Sequence, residues 1–206
     1  MDQANTVWAL FSQQIPLGLK VSVTLFVYLL IPVYWVQYGP GNFLWFSDLA
    51  LLLTVPALWL ESALLASIIL LGVGLLEVVW IIDFAVRLFT GVSLAGLSRY
   101  MFNPRISRFI RALSFFHIAL PVILLWMVYR LGYDSRALAL QTLLAWIVLP
   151  MSYLLTEPSE NVNWVYGFRN KRQSFMPAPL YVGLLMALFP LVIYFPTHLL
   201  LKTLFR

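Results

Sequence analysis

"SALLASIILLGVGLLEVVWIIDFAVRL", Ser62 to Leu88, decides the fold class. A bilayer core needs about 20 consecutive apolar residues in a helix. This run is long enough, and it carries Glu77, Asp83 and Arg87 inside it. Five further stretches read the same way: Leu17–Val36, Phe43–Leu60, Phe109–Arg130, Ala137–Thr156 and Ala178–Leu201. The expectation is an all-α, polytopic integral membrane protein, with six transmembrane helices in one bundle and a single transmembrane domain over residues 1–206.

Composition agrees. The chain is 62% hydrophobic and 10% charged, where soluble domains run closer to a quarter charged. Its mean hydropathy is +0.90. So short a chain cannot hide that much apolar surface in a core, so its solvent should be lipid. There is no cysteine, which excludes disulfides, thiolate metal sites and a cysteine nucleophile. No basic run is long enough to follow a phosphate backbone, so nucleic acid is not an expected partner. The first residues lack the pattern of a cleaved signal peptide. Within residues 1–16, Val7, Trp8, Phe11 and Ile15 share one helical face and read as a segment lying in the interface. Tyr38-Gly39-Pro40-Gly41-Asn42 is a turn by composition, and Glu61-Ser62 marks a very short second connection.

Eight basic residues (Arg87, Arg99, Arg105, Arg108, Arg111, Arg169, Lys171 and Arg172) fall on the side of the two long connections, three (Phe89–Arg108) and five (Glu157–Pro177). Five (Lys20, Arg130, Arg136, Lys202 and Arg206) fall on the other. The positive-inside rule then puts connections one, three and five in the cytoplasm, and both termini outside.

Ionisable groups at membrane depth are costly and turn toward the bundle interior or a wet cavity. At about 1.5 Å rise per residue, His117, Asp48, Glu77 and Asp83 can share one layer, while His198 lies near the opposite surface. That separation argues against a two-histidine metal centre, so neither metal nor cofactor is expected. Trp45 and Asp48 are neighbours on the second helix. Trp80, Asp83 and Arg87 form a stripe on the third, with Asp83 and Arg87 at ion-pair spacing. Glu77 has no basic partner on its own helix and should stay protonated or bond across helices. Ser114 and His117 share a face of the fourth helix. Pro121 has no N–H for the His117 carbonyl, which predicts a kink there. In connection five, Asn161 and Asn163 beside Trp164 and Tyr166 are placed to cap the layer and offer amide donors, with Asn42 or Asn163 to meet a developing oxyanion; an aromatic belt at headgroup level explains the aromatics equally well.

"NFLWFSDLAL" (Asn42 to Leu51), "FHIALPVILLWM" (Phe116 to Met127) and "NWVYGF" (Asn163 to Phe168) occur in this order. In that arrangement the chain resembles the androgen-induced-gene type of six-helix membrane hydrolases, which cleave fatty-acid esters of hydroxy fatty acids. Related six-helix acyltransferases share the architecture. The resemblance implies a threonine nucleophile early in the second helix, assisted by a histidine that matches His117, with Asp48 matching a nearby aspartate. It also implies cytoplasmic termini, opposite to the charge count. The threonine position falls on Trp45, which cannot be a nucleophile. Ser47, Ser114 or an activated water must replace it, or the hydrolase chemistry is lost.

The expected function is therefore hydrolysis or transfer of an acyl group of a lipid ester or amide inside the bilayer, with His117 as base. The alternative is a non-catalytic scaffold that binds lipid, a partner subunit or a second copy through its buried polar residues. A small transporter ranks last, because the chain has no internal repeat.

Overall fold

The computed structural model describes residues 14–168 and 171–205. The interfacial face read from Val7, Trp8 and Phe11 lies outside them, as do Arg169 and Arg206. The described residues form helices α1 (Leu17–Tyr38), α2 (Phe46–Trp59), α3 (Ala63–Thr90), α4 (Arg108–Leu113), α5 (Phe116–Leu131), α6 (Ala137–Leu155), α7 (Ala178–Leu188) and α8 (Phe195–Leu204). A short α4 and α5 run together as Arg108–Leu131, and α7 reaches α8 through a π-helical stretch, Phe189–Tyr194.

Five of these units are long and apolar enough to cross a membrane: Leu17–Tyr38, Ala63–Thr90, Arg108–Leu131, Ala137–Leu155 and Ala178–Leu204. The sixth expected span differs. Pro40–Leu44 is a 3₁₀ turn, and Trp45 keeps an extended backbone. The helix behind them has 14 residues, a length of about 21 Å at the α-helical rise. Pro40 and the two glycines around it favour the turn over helix, which shortens the apolar run from its N-terminal end.

Helix α3 is the axis of the bundle, packed against α2, α5 and α6. Its N-terminus is capped by Ser62, whose hydroxyl accepts from the Leu65 amide at 3.2 Å. Its C-terminus stops at Gly91 with φ 73°, a left-handed turn that glycine adopts without strain. Ala66, Ser67 and Gly72 are small buried residues on α3 that let neighbours approach closely. A Cβ on Gly72 would lie 2.5 Å from the Gln141 amide of α6, so the glycine lets that side chain lie against α3. The periphery is apolar instead of polar: Leu25, Tyr28, Val36, Val122, Leu154 and Leu191 are all exposed.

The two ends of the bundle are built differently. At one end, buried Lys20 of α1 pairs with Glu61 at 2.8 Å. Glu61 also accepts from the amides of Gln14 and Ile15. Nearby links join the Asp134 amide to Ser67 and the Tyr133 hydroxyl to His198. Partial burial alone would raise the Glu61 carboxyl, but the Lys20 ammonium and the two amides hold it below its ordinary range. Connections one, three and five converge on the other end, where their residues line a common cavity.

Candidate functional site

The cavity at that end has a volume of about 430 Å³. Its walls come from α1, α2, α3, the α4–α5 junction and the three connections. His117, Glu77 and Asp48 all face it, together with Asn42, Trp45, Ser47, Trp80, Ser114, Asn163 and Trp164. Asp83, Arg87 and His198 do not.

The local backbone explains why His117 turns inward. The expected kink at Pro121 is displaced: α5 continues through the proline, and the break lies at Ser114-Phe115. There the amides of Ser114, Phe115, His117 and Ile118 each bond the carbonyl three residues back, at 3.0–3.2 Å. A proline ring crowds the carbonyl four residues before it, so the turn upstream of Pro121 tightens. In 3₁₀ geometry residues three apart eclipse, which aligns Ser114 with His117 on the cavity side. Ser114 does not bond its own helix as serines in membrane helices often do. Its hydroxyl meets the Tyr34 hydroxyl at 2.8 Å.

His117 Nδ1 lies 2.7 Å from Glu77 Oε2, a pair that joins α5 to α3. The Glu77 side chain is 3% exposed and that of His117 12%. Trp80, one turn after Glu77, stacks on the imidazole with ring centroids 4.6 Å apart and planes at 20°. Phe116 covers it as well, at 4.1 Å and 27°. The ring is fixed by one carboxylate and two aromatic faces, and Nε2 is the nitrogen left for another group. The partner that the sequence could not provide for Glu77 on its own helix is therefore His117.

Asp48 sits in the first turn of α2 and is 5% exposed. It is close enough to His117 and Glu77 for direct electrostatic interaction, and Asn42 and Ser47 flank it. The helix begins at Phe46, so Trp45 lies outside it; this irregular start brings both Trp45 and Ser47 to the cavity. Asn163 explains the start. Its Oδ1 accepts from the Phe46 amide at 3.1 Å, and its Nδ2 donates to the Leu44 carbonyl and to Ser152 Oγ. With these hydrogen bonds committed to the start of α2, the turn before it and α6, Asn163 is not a free amide donor. Asn161, Asn163 and Trp164 all have positive φ, at 47°, 52° and 59°. This left-handed path is uncommon for tryptophan. It sets the Trp164 ring edge-on to Trp45 at 6.3 Å.

The expected Asp83–Arg87 pair does not form. The Arg87 guanidinium lies 4.9 Å over the Phe102 ring. Asp83 Oδ1 instead accepts from the amides of Ala95 and Gly96, and Oδ2 accepts from the amide and hydroxyl of Ser98. Spacing on one helix could not reveal this, because the competing donors are backbone amides twelve or more residues away. Asp83 thus holds the loop whose Ala95, Gly96 and Leu97 form a wall of the cavity.

Tyr34, Tyr38 and Tyr100 also line the site, although tyrosines at span ends read from sequence as interface residues. Burial holds the Tyr100 phenol well above its ordinary range, against the opposing effect of Ser114. Five buried polar atoms on cavity residues have no hydrogen-bond partner: Tyr38 Oη, Asn42 Nδ2, Asp48 Oδ1, Glu77 Oε1 and Trp80 Nε1. Among the described residues no three histidine or carboxylate side chains converge as a metal site. His198 is buried at the far end, with Nδ1 2.8 Å from the Tyr133 hydroxyl. No protein-family model, curated protein or solved structure matches this chain.

Proposed function

We propose that the chain is a multi-pass integral membrane protein whose cavity cleaves the acyl group of a lipid ester or amide, with His117 as the general base. The observation that carries this reading is the buried Glu77–His117 pair at 2.7 Å beside a cavity of about 430 Å³. A lipid-borne substrate reaches such a site from the bilayer, and the exposed apolar periphery supports that location.

Glu77 accepts from Nδ1–H and so keeps the Nε2 lone pair available. A water adds to the substrate carbonyl carbon and gives its proton to Nε2. The oxyanion that forms accepts hydrogen bonds from Asn42 Nδ2 and Trp80 Nε1, both unpartnered in the fold. Collapse of the adduct breaks the bond to the leaving oxygen or nitrogen, which takes the proton back from the imidazolium. Water is the nucleophile because neither cavity serine hydroxyl is hydrogen-bonded to His117, and that of Ser114 is engaged by Tyr34. The resemblance to androgen-induced-gene hydrolases supports the same chemistry, with Trp45 replacing that family's threonine. Replacement of the attacking water by an alcohol would give acyl transfer.

The test is release of free fatty acid from a panel of long-chain esters and amides by the purified full chain in lipid nanodiscs. Turnover on at least one member is expected, and none on any would overturn the proposal. In that event Trp45, together with the polar residues that fasten α2 and connection three, favours the second reading: a scaffold that holds a lipid or partner without transforming it.

A further inference from the structure

The unpartnered atoms of the cavity have a composition that discriminates among substrates. Asp48 Oδ1 and Glu77 Oε1 accept hydrogen bonds, Trp80 Nε1 donates, Tyr38 Oη can do either, and Asn42 Nδ2 is a further donor beside the Asp48 carboxyl. Asp48, Glu77 and Trp80 are 5%, 2% and 5% exposed, so these atoms are withdrawn from bulk solvent. A buried polar atom left unsatisfied is costly, so a well-bound ligand must answer both kinds. An ester group offers only acceptors. It can answer Trp80 and Asn42, but its lone pairs would confront two carboxyl oxygens. A secondary amide adds an N–H, and a nearby hydroxyl adds a second donor.

We infer that the cavity selects an N-acyl amino alcohol over the corresponding ester, with the substrate N–H and O–H directed at Asp48 and Glu77. The inference rests on the acyl-cleavage reading for the position of the carbonyl, which faces Trp80 and Asn42. The apolar acyl chain then runs along Val73, Leu76 and Trp45.

The experiment compares three lipids of equal chain length: N-palmitoyl-2-aminoethanol, its N-methyl tertiary amide and the ester 2-hydroxyethyl palmitate. Equilibrium binding to the detergent-solubilised full chain is measured by calorimetry, with fatty-acid release followed separately. A buried acceptor left unanswered is costly, which predicts that the secondary amide binds about tenfold tighter, or more, than either comparison lipid. Asp48→Leu should bring the secondary amide to within about twofold of the ester. Equal or tighter binding of the ester by the wild-type chain overturns the inference, and that comparison stands even if the variant does not fold. An amide preference without turnover supports this ligand class and rejects the cleavage reading. Turnover without an amide preference does the reverse.

Discussion

Replacing Asp83 by asparagine should destabilise the whole fold, although Asp83 lies outside the cavity. The side chain is 1% exposed, and its two oxygens accept four hydrogen bonds, from Ala95 N at 2.7 Å, Gly96 N at 3.1 Å, Ser98 N at 2.9 Å and Ser98 Oγ at 2.7 Å. Asparagine keeps the shape but turns one oxygen into a donor. Turned toward Ala95 and Gly96, the new NH₂ faces two amides. Turned toward Ser98, it loses one amide and leaves the hydroxyl to rotate and accept. The second arrangement is the cheaper. It removes one charge-assisted bond worth about 1.5–3 kcal/mol and reduces the others to about 1 kcal/mol each. A net loss of about 3 kcal/mol follows, equivalent to a fall of about 6–12 °C in Tm for a chain of this size. Thermal unfolding followed by tryptophan fluorescence measures it. Ser98→Ala alone should cost about 1 kcal/mol, and the double variant should be less destabilised than the sum, because the hydroxyl bond that alanine removes is already weakened once the Asp83 charge is gone. A change below about 1 kcal/mol for Asp83→Asn, or strict additivity, would refute the account of this loop.

The Lys20–Glu61 end makes a pH-dependent contribution. The Glu61 carboxyl is depressed in the folded chain, so its stabilisation is present above the unfolded glutamate pKa, about 4.3, and is lost as pH falls through the folded value. Tm should therefore drop on acidification below that pKa, and Glu61→Gln should flatten this part of the profile; an unchanged acid limb would contradict the assignment. Gly167 has φ 150°, and a Cβ there would collide with the Lys171 carbonyl, so Gly167→Ala should lower Tm by several degrees or more. An unchanged Tm would refute that contact. The chain has no native cysteine, which makes topology accessible to single-cysteine labelling. Cysteines at Asn103 and Lys171 should react with an impermeant reagent from one side of the membrane, and a cysteine at Arg136 from the other. Labelling of Asn103 and Lys171 from opposite sides would reject the arrangement.

The length of the apolar runs made the helices legible, since bilayer thickness and helical rise constrain them strongly. The start of α2 was not legible to the same degree. It is set by a hydrogen bond from Phe46 N to Asn163, 117 residues away, which no local pattern announces. Depth along each helix located His117, Asp48 and Glu77 in one layer. It also grouped Asp83 with them, because depth does not report which way a side chain turns or which backbone amides await it. The break at Ser114-Phe115 was half legible: Pro121 signalled a distortion, and neighbouring contacts decided where the helix released it. The tyrosines at 34, 38 and 100 were not legible as site residues, since at the ends of apolar runs they look like ordinary interface residues. Their depth is the signal in the sequence: Tyr34 and Tyr38 fall near the same end of the bundle as His117.

The central claim is that the His117 imidazole, held by Glu77, removes a proton during acyl cleavage. It is tested most directly by the initial rate of fatty-acid release for wild type and His117→Gln at matched Tm, on the best substrate in the panel. Glutamine preserves much of the volume and a hydrogen-bonding group but cannot accept and return the proton. General-base catalysis contributes about 10²–10⁴-fold, so the account predicts a loss of at least about 10²-fold. A rate within about threefold of wild type would contradict it.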